Sequence, residues 1–192
     1  MGSGVRKYQS IDLMIWVILL FVFEFITVKA GSVWFSSQPW SLSIVPALTA
    51  IVYMRWGAYG ILYAFLGGIA VSFASDASSE QYVIYAFGNL LSVLVLLFFR
   101  VAGKAGVRDK TSLSVIYALV TALLMQTGRG IVSVILGHDA GGFIGFITTD
   151  ILSTAFSVLI VMITRKLDGV FEDQISYLIR VNNEEKEKGG RE

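Results

Sequence analysis

The sequence predicts an all-α integral membrane protein with six transmembrane helices, both termini cytoplasmic, and a short amphipathic helix at the C-terminal end. Three observations carry the prediction. Of the 192 residues, 55% are hydrophobic and 15% charged, with a mean hydropathy of +0.72. The apolar residues gather into long stretches without the alternation of barrel strands, which leaves helices as the way to satisfy the backbone in lipid. The basic residues cluster between alternate stretches, as the positive-inside rule requires for an even number of crossings.

The six stretches run from Asp12 to Ala30, Pro39 to Met54, Trp56 to Ser75, Gln81 to Phe99, Thr111 to Leu136 and Gly141 to Thr164. A crossing needs about 20 apolar residues, so the second is short, and Arg55 alone separates it from the third. Placing the N-terminus inside puts 13 of the 15 Lys and Arg residues on the cytoplasmic side, leaving Lys29 at the outer border and Arg129 within the fifth span. Reading Leu13 to Ala30 as a signal peptide is opposed by Glu24 and by the odd span count that would remain. The chain divides into a cytoplasmic tail over 1–10, whose Met1-Gly2-Ser3-Gly4 reads as a cloning remnant, a membrane domain over 11–166, and a cytoplasmic helix with polar tail over 167–192. In the last part Phe171, Ile175, Leu178 and Ile179 recur at helical spacing, which suits either a helix lying on the membrane surface or a docking surface for a partner.

Composition also excludes classes of function. A formal net charge of +1 gives no footprint for nucleic acid. The absence of cysteine removes disulfide and thiolate chemistry, and one histidine, His138, removes a multi-histidine metal site within one chain. There is no phosphate-binding glycine loop of the Walker type and no nucleophile elbow. No catalytic residue, metal site or intrinsic cofactor is expected.

Polar residues inside apolar spans are costly unless paired or facing water, so they mark candidate sites. Four spans contribute one each. Counted inward at 1.5 Å per residue, Glu24 lies roughly 9 Å deep, Arg129 about 10 Å, Asn89 about 12 Å and Asp150 about 13 Å. They share a layer in the outer half, and the inner half has no matching set, a distribution that favours an outward-facing pocket over a through-pore. Either Arg129 forms a buried ion pair with Glu24 or Asp150, or these groups receive a ligand; two acids and one arginine leave one carboxylate unmatched. Gly128 and Gly130 flank Arg129 and predict a kink in the fifth span. Trp34, Phe35 and Trp40 in the first outer loop suit either an interfacial aromatic belt or stacking on a ring-shaped ligand. The candidate substrate-binding set is Glu24, Trp34, Trp40, Tyr85, Asn89, Gln126, Arg129, His138 and Asp150.

Pro46, then Tyr53-Met54-Arg55-Trp56-Gly57-Ala58-Tyr59-Gly60, then Phe65-Leu66-Gly67-Gly68 resembles the stretch in substrate-binding S components of energy-coupling-factor (ECF) transporters, in which a proline-bearing span leads through a basic, tryptophan- and glycine-rich turn into a small-residue helix. Six spans, this length and both ends inside are also similar to that family. The resemblance implies an outward pocket for a vitamin or related micronutrient, built from the last three spans and the outer loops. It also implies partners, namely a membrane scaffold subunit and two ATPases in which alone ATP is hydrolysed, in the membrane of a prokaryotic cell. The first span departs from the pattern, being bulky from Leu13 to Val28 where many members carry paired small residues against the scaffold. Gly57, Gly60, Gly67 and Gly68 are the alternative partner face. A small self-sufficient permease or channel, oligomeric or not, is the second reading, and a membrane enzyme a distant third.

Overall fold

A computed structural model describes residues 3–37, 41–139 and 141–189. Among them the chain is helical, with no strand. The helices are α1 (Ser3–Trp34), α2 (Val45–Trp56), α3 (Gly60–Ala74), α4 (Ser79–Gly88), α5 (Leu96–Ala102), α6 (Lys104–Asp109), α7 (Thr111–Ile135), α8 (Gly141–Thr149), α9 (Ile151–Thr164) and α10 (Gln174–Gly189). Four segments are long and apolar enough to cross a membrane, Gly4–Trp34, Val45–Ala74, Ser79–Ala102 and Thr111–Ile135, and the bent pair Phe143–Thr149 and Ile151–Thr164 makes a fifth.

The difference from the six expected crossings lies at Gly57. By length and composition Val45–Ala74 counts once, yet it is not a straight rod. Gly57 takes φ +58°, the left-handed region that glycine enters without cost. Beyond it Gly60 lies on the Tyr53 ring and Gly67 on Val45. These pairs step outward from the turn in opposite directions, the register of an antiparallel hairpin. At 1.5 Å per residue α2 is only about 18 Å long, and every one of its residues is buried. It packs on α1, α3, α7 and α9 and forms the axis of the bundle. Pro46 stands in its first turn, where a missing N–H costs nothing.

In hydrocarbon there is no hydrophobic force between helices, so association rests on close packing and interhelical hydrogen bonds. Both are present. A Cβ on Gly68 would strike the Ala86 backbone, and one on Gly128 would strike the Gly88 carbonyl. Tyr117, fully buried, donates to Ala50 O at 2.7 Å, and Phe99 and Phe171 pack against its ring. The outer face of α1 shows Met14, Ile18, Val22 and Ile26 at i, i+4 spacing, all exposed, as a lipid-facing stripe requires.

Several local expectations change. α7 runs unbroken through Gly128-Arg129-Gly130; the break expected there occurs instead in the sixth stretch, where α8 and α9 bend by 49°. The fourth stretch is one segment with a 3-10 interior over Asn89–Val95. α1 begins at Ser3, inside the expected tail, and α10 extends to Gly189, through most of the polar tail. Phe171 precedes that helix and plugs into the core, while Ile175 and Ile179 stay exposed.

The end of the bundle that carries Arg55 is tied by charge. Asp12 accepts from Arg55 Nη2 at 2.6 Å, Arg55 Nε at 3.1 Å and Trp56 Nε1 at 2.6 Å. Arg55 Nη1 also donates to the carbonyls of Gly169 and Val170. Tyr8 donates to Gln174 at 3.0 Å, and Lys104 to Asp173 at 2.5 Å. One network thus joins α1, the Gly57 turn and the segment leading into α10.

Candidate functional site

The site is organised by close backbone approach. At Gly88 and Gly128 the fourth segment and α7 touch without side chains between them, which brings Asn89 beside Arg129. Arg129 Nε donates to Asn89 Oδ1 at 2.8 Å, and Asn89 Nδ2 donates in turn to Ala64 O at 3.1 Å. The 3-10 stretch starts at this asparagine, whose own carbonyl accepts from Ser92 Oγ at 2.6 Å. Runs of 3-10 structure this long are uncommon and mark local constraint; here the constraint is the tight Gly88–Gly128 contact.

Arg129 Nη1 donates to Asp150 Oδ2 at 2.5 Å, and both residues are buried. Asp150 stands at the α8–α9 break, with its other oxygen accepting from Ser41 Oγ. The Arg129 guanidinium lies over the Tyr85 ring, 4.5 Å from its centroid, a cation–π contact. Tyr85 meets Phe146 edge to face. The third guanidinium nitrogen, Nη2, has no partner among the described residues.

Glu24 does a different task. Its Oε2 accepts from Ile44 N–H at 2.9 Å, at the start of α2. Residues 41–44 are not helical, and unsupported backbone at this depth is tolerated only where protein satisfies it. Glu24 does so on one side and α9 on the other: Ser43 N–H donates to Ser153 Oγ at 3.0 Å, and Ser153 Oγ to Ser41 O at 3.1 Å. A carboxylate at a helix N-terminus also complements the helix dipole. Glu24 Oε1 is unpartnered among the described residues.

Two cavities meet this layer. A cavity of about 200 Å³ is lined by Val28, Gly31, Ser32, Ser41, Leu42, Ser43, Val71, Ser75, Tyr85, Arg129 and Asp150. A wider cleft of about 640 Å³ is lined by Ser78, Glu80, Gln81, Ile84, Tyr85, Ser133, His138, Asp139, Gly145, Phe146 and Thr149. Tyr85 borders both. Across the wider cleft His138 Nε2 lies 3.0 Å from Glu80 Oε1.

Of the expected site residues, Asn89, Arg129, Asp150 and Tyr85 come together. Gln126 is one turn from Arg129 on α7 and donates to Thr154 Oγ1 at 2.8 Å. Glu24 is fully buried on α1 and is not among the residues lining either cavity, His138 lies in the wider cleft, and Trp34 is exposed at the end of α1. Trp40 lies outside the described residues. Gly60, Gly67 and Gly68 are buried against the chain's own Tyr53, Val45 and Ala86, while Gly57 stays at the turn. Sequence reasoning missed Ser41, Ser43 and Ser153. The signal for the first two was their alternate spacing just before Pro46, which suits an extended strand rather than a helix. Among the described residues no group of three or more His, Asp and Glu is arranged to hold a metal ion. No family model, curated protein or solved structure matches this chain.

Proposed function

We propose that this chain is a membrane-embedded, non-enzymatic binding subunit for a vitamin or related micronutrient, and that it works with a scaffold subunit and two ATPases of an ECF-type importer in a prokaryotic cell membrane. The observation that carries the reading is the buried Asn89–Arg129–Asp150 network, one donor of which has no partner among the described residues, with Arg129 and Asp150 lining a cavity inside the bundle. A purely structural ion pair uses its donors on the protein; this one keeps one in reserve beside a space. Six crossings with both termini inside belong to the same proposal, with α2 and α3 as the second and third crossings, and the hairpin at Gly57 supports it. The internal use of Gly60, Gly67 and Gly68 leaves the lipid-facing stripe of α1 as the face for the scaffold.

The test is capture and transport together. Affinity purification from native membranes is expected to recover a second membrane subunit and ATPases, and the chain alone in liposomes is expected to bind but not accumulate solute. Solute accumulation by the isolated chain without ATP contradicts the proposal and supports the self-sufficient permease.

A further inference from the structure

We propose that the cavity beside Arg129 takes a compact, uncharged nitrogen heterocycle that presents a carbonyl oxygen or ring nitrogen to Arg129 and N–H groups to the cavity mouth, and that it discriminates against carboxylates of the same size. This rests on the reading of the cavity as the binding site.

The acceptor follows from Arg129. Arg129 lines the cavity and is 1% exposed, Nε and Nη1 are committed to Asn89 and Asp150, and Nη2 is unpartnered among the described residues. A buried donor left unmade bears its whole desolvation cost, so an oxygen or nitrogen lone pair placed there is strongly favoured.

The absence of charge follows from the ion pair. Asp150, which lines the cavity with Arg129, already balances the guanidinium. An anionic ligand brings a second negative group to one cation in a medium where such repulsion is poorly screened. A neutral acceptor completes the arginine without that excess.

The ligand's own donors follow from the serines at the mouth. Ser32 Oγ donates to Lys29 O and Ser75 Oγ to Val71 O, both at 2.8 Å. With their protons committed, these hydroxyls offer lone pairs only, which suit N–H groups on a ligand. Val28, Leu42, Val71 and the Tyr85 ring supply apolar walls. The volume of about 200 Å³ exceeds the roughly 150 Å³ that holds benzene and falls below the roughly 300–1,000 Å³ of pockets for drug-sized ligands, so it suits one substituted ring.

The test is calorimetric titration of the purified full chain in detergent with two matched probe pairs, nicotinamide against nicotinate and uracil against orotate. In at least one pair the neutral probe is expected to bind at least ten-fold tighter than the anion. Arg129→Lys, which keeps the charge and loses the fork, is expected to weaken the neutral probe at least ten-fold. Ser75→Ala leaves the Arg129 network untouched and is expected to weaken it two- to five-fold, which guards against misfolding of the arginine variant. Tighter binding of the anions, dependent on Arg129, overturns the neutral class while leaving the binding-site reading standing. No binding of any probe, with a retained anionic molecule released from the purified chain, likewise overturns this inference alone. No binding of any probe and no retained molecule of any kind overturns both.

Discussion

Asn89 holds Arg129 and Ala64 at once: its amide oxygen accepts from Arg129 Nε at 2.8 Å and its amide nitrogen donates to the Ala64 carbonyl at 3.1 Å. One neutral side chain thereby fixes both the orientation of a buried guanidinium and the spacing between α3 and α7. The consequence is a directed arginine. Two of its nitrogens are tied to protein, and the third, Nη2, has no partner among the described residues.

The buried Arg129–Asp150 pair is worth little compared with the cost of breaking it. Arg129→Gln is expected to lower unfolding stability in detergent by about 3–5 kcal/mol, and the double variant Arg129→Gln with Asp150→Asn to recover most of that loss, because no lone charge then remains buried. Denaturant unfolding of the two variants checks this. A single-variant loss below about 1 kcal/mol contradicts a buried pair.

The tight Gly88–Gly128 contact makes a steric prediction. Gly128→Ala places a Cβ against the Gly88 carbonyl, backbone that cannot yield cheaply, and is expected to cost about 1–3 kcal/mol. Gly145→Ala has open space around the new methyl and a helical backbone, so it is expected to be neutral or slightly stabilising. Thermal unfolding midpoints distinguish the two; equal effects contradict the packing described.

Glu24 is expected to act as an acceptor for the α2 start. Glu24→Ala strands the Ile44 N–H and is expected to cost about 1–3 kcal/mol, while Glu24→Gln, which keeps an oxygen for that N–H, is expected to recover at least half. Unfolding of both variants checks this. No difference between Gln and Ala contradicts the capping role.

Much of this was legible because ionisable residues in apolar stretches stand out. Depth alone groups Glu24, Asn89, Arg129 and Asp150; the structure joins the last three by hydrogen bonds, while Glu24 holds the start of α2 instead. What sequence did not show was set by packing. The glycines around Arg129 suggested a kink from weak propensity, but contact with Gly88 and Phe143 uses them as close-approach points and α7 stays whole. The break fell at Asp150, where no glycine or proline marks it. Tertiary context overrode local preference there. Ser41 and Ser43 are hidden because the apolar run from Pro39 reads as one helical stretch, whereas residues 41–44 form irregular backbone held by Glu24 and Ser153.

At the Arg55 end, Asp173 carries a pH prediction. Burial raises its carboxyl, but hydrogen bonds from Lys104 and from the Ser176 backbone and hydroxyl outweigh burial and hold it below its ordinary value of 3.8. A depressed carboxyl contributes stability that is complete above the ordinary value and is lost as pH falls through the lowered one. Asp173→Asn is therefore expected to be less stable than the parent at pH 7, with the gap closing at acid pH below the ordinary carboxylate value. Thermal unfolding across that range checks it; a gap that widens on acidification contradicts it.

The most direct measurement is native mass spectrometry of the full chain released from detergent, comparing the parent with Arg129→Lys. The parent is expected to give a peak carrying one small bound molecule, displaced by excess of that same molecule, and the variant to be folded by its unfolding midpoint but bare. A bare parent, or a variant that keeps the molecule as firmly as the parent, contradicts a binding site centred on Arg129.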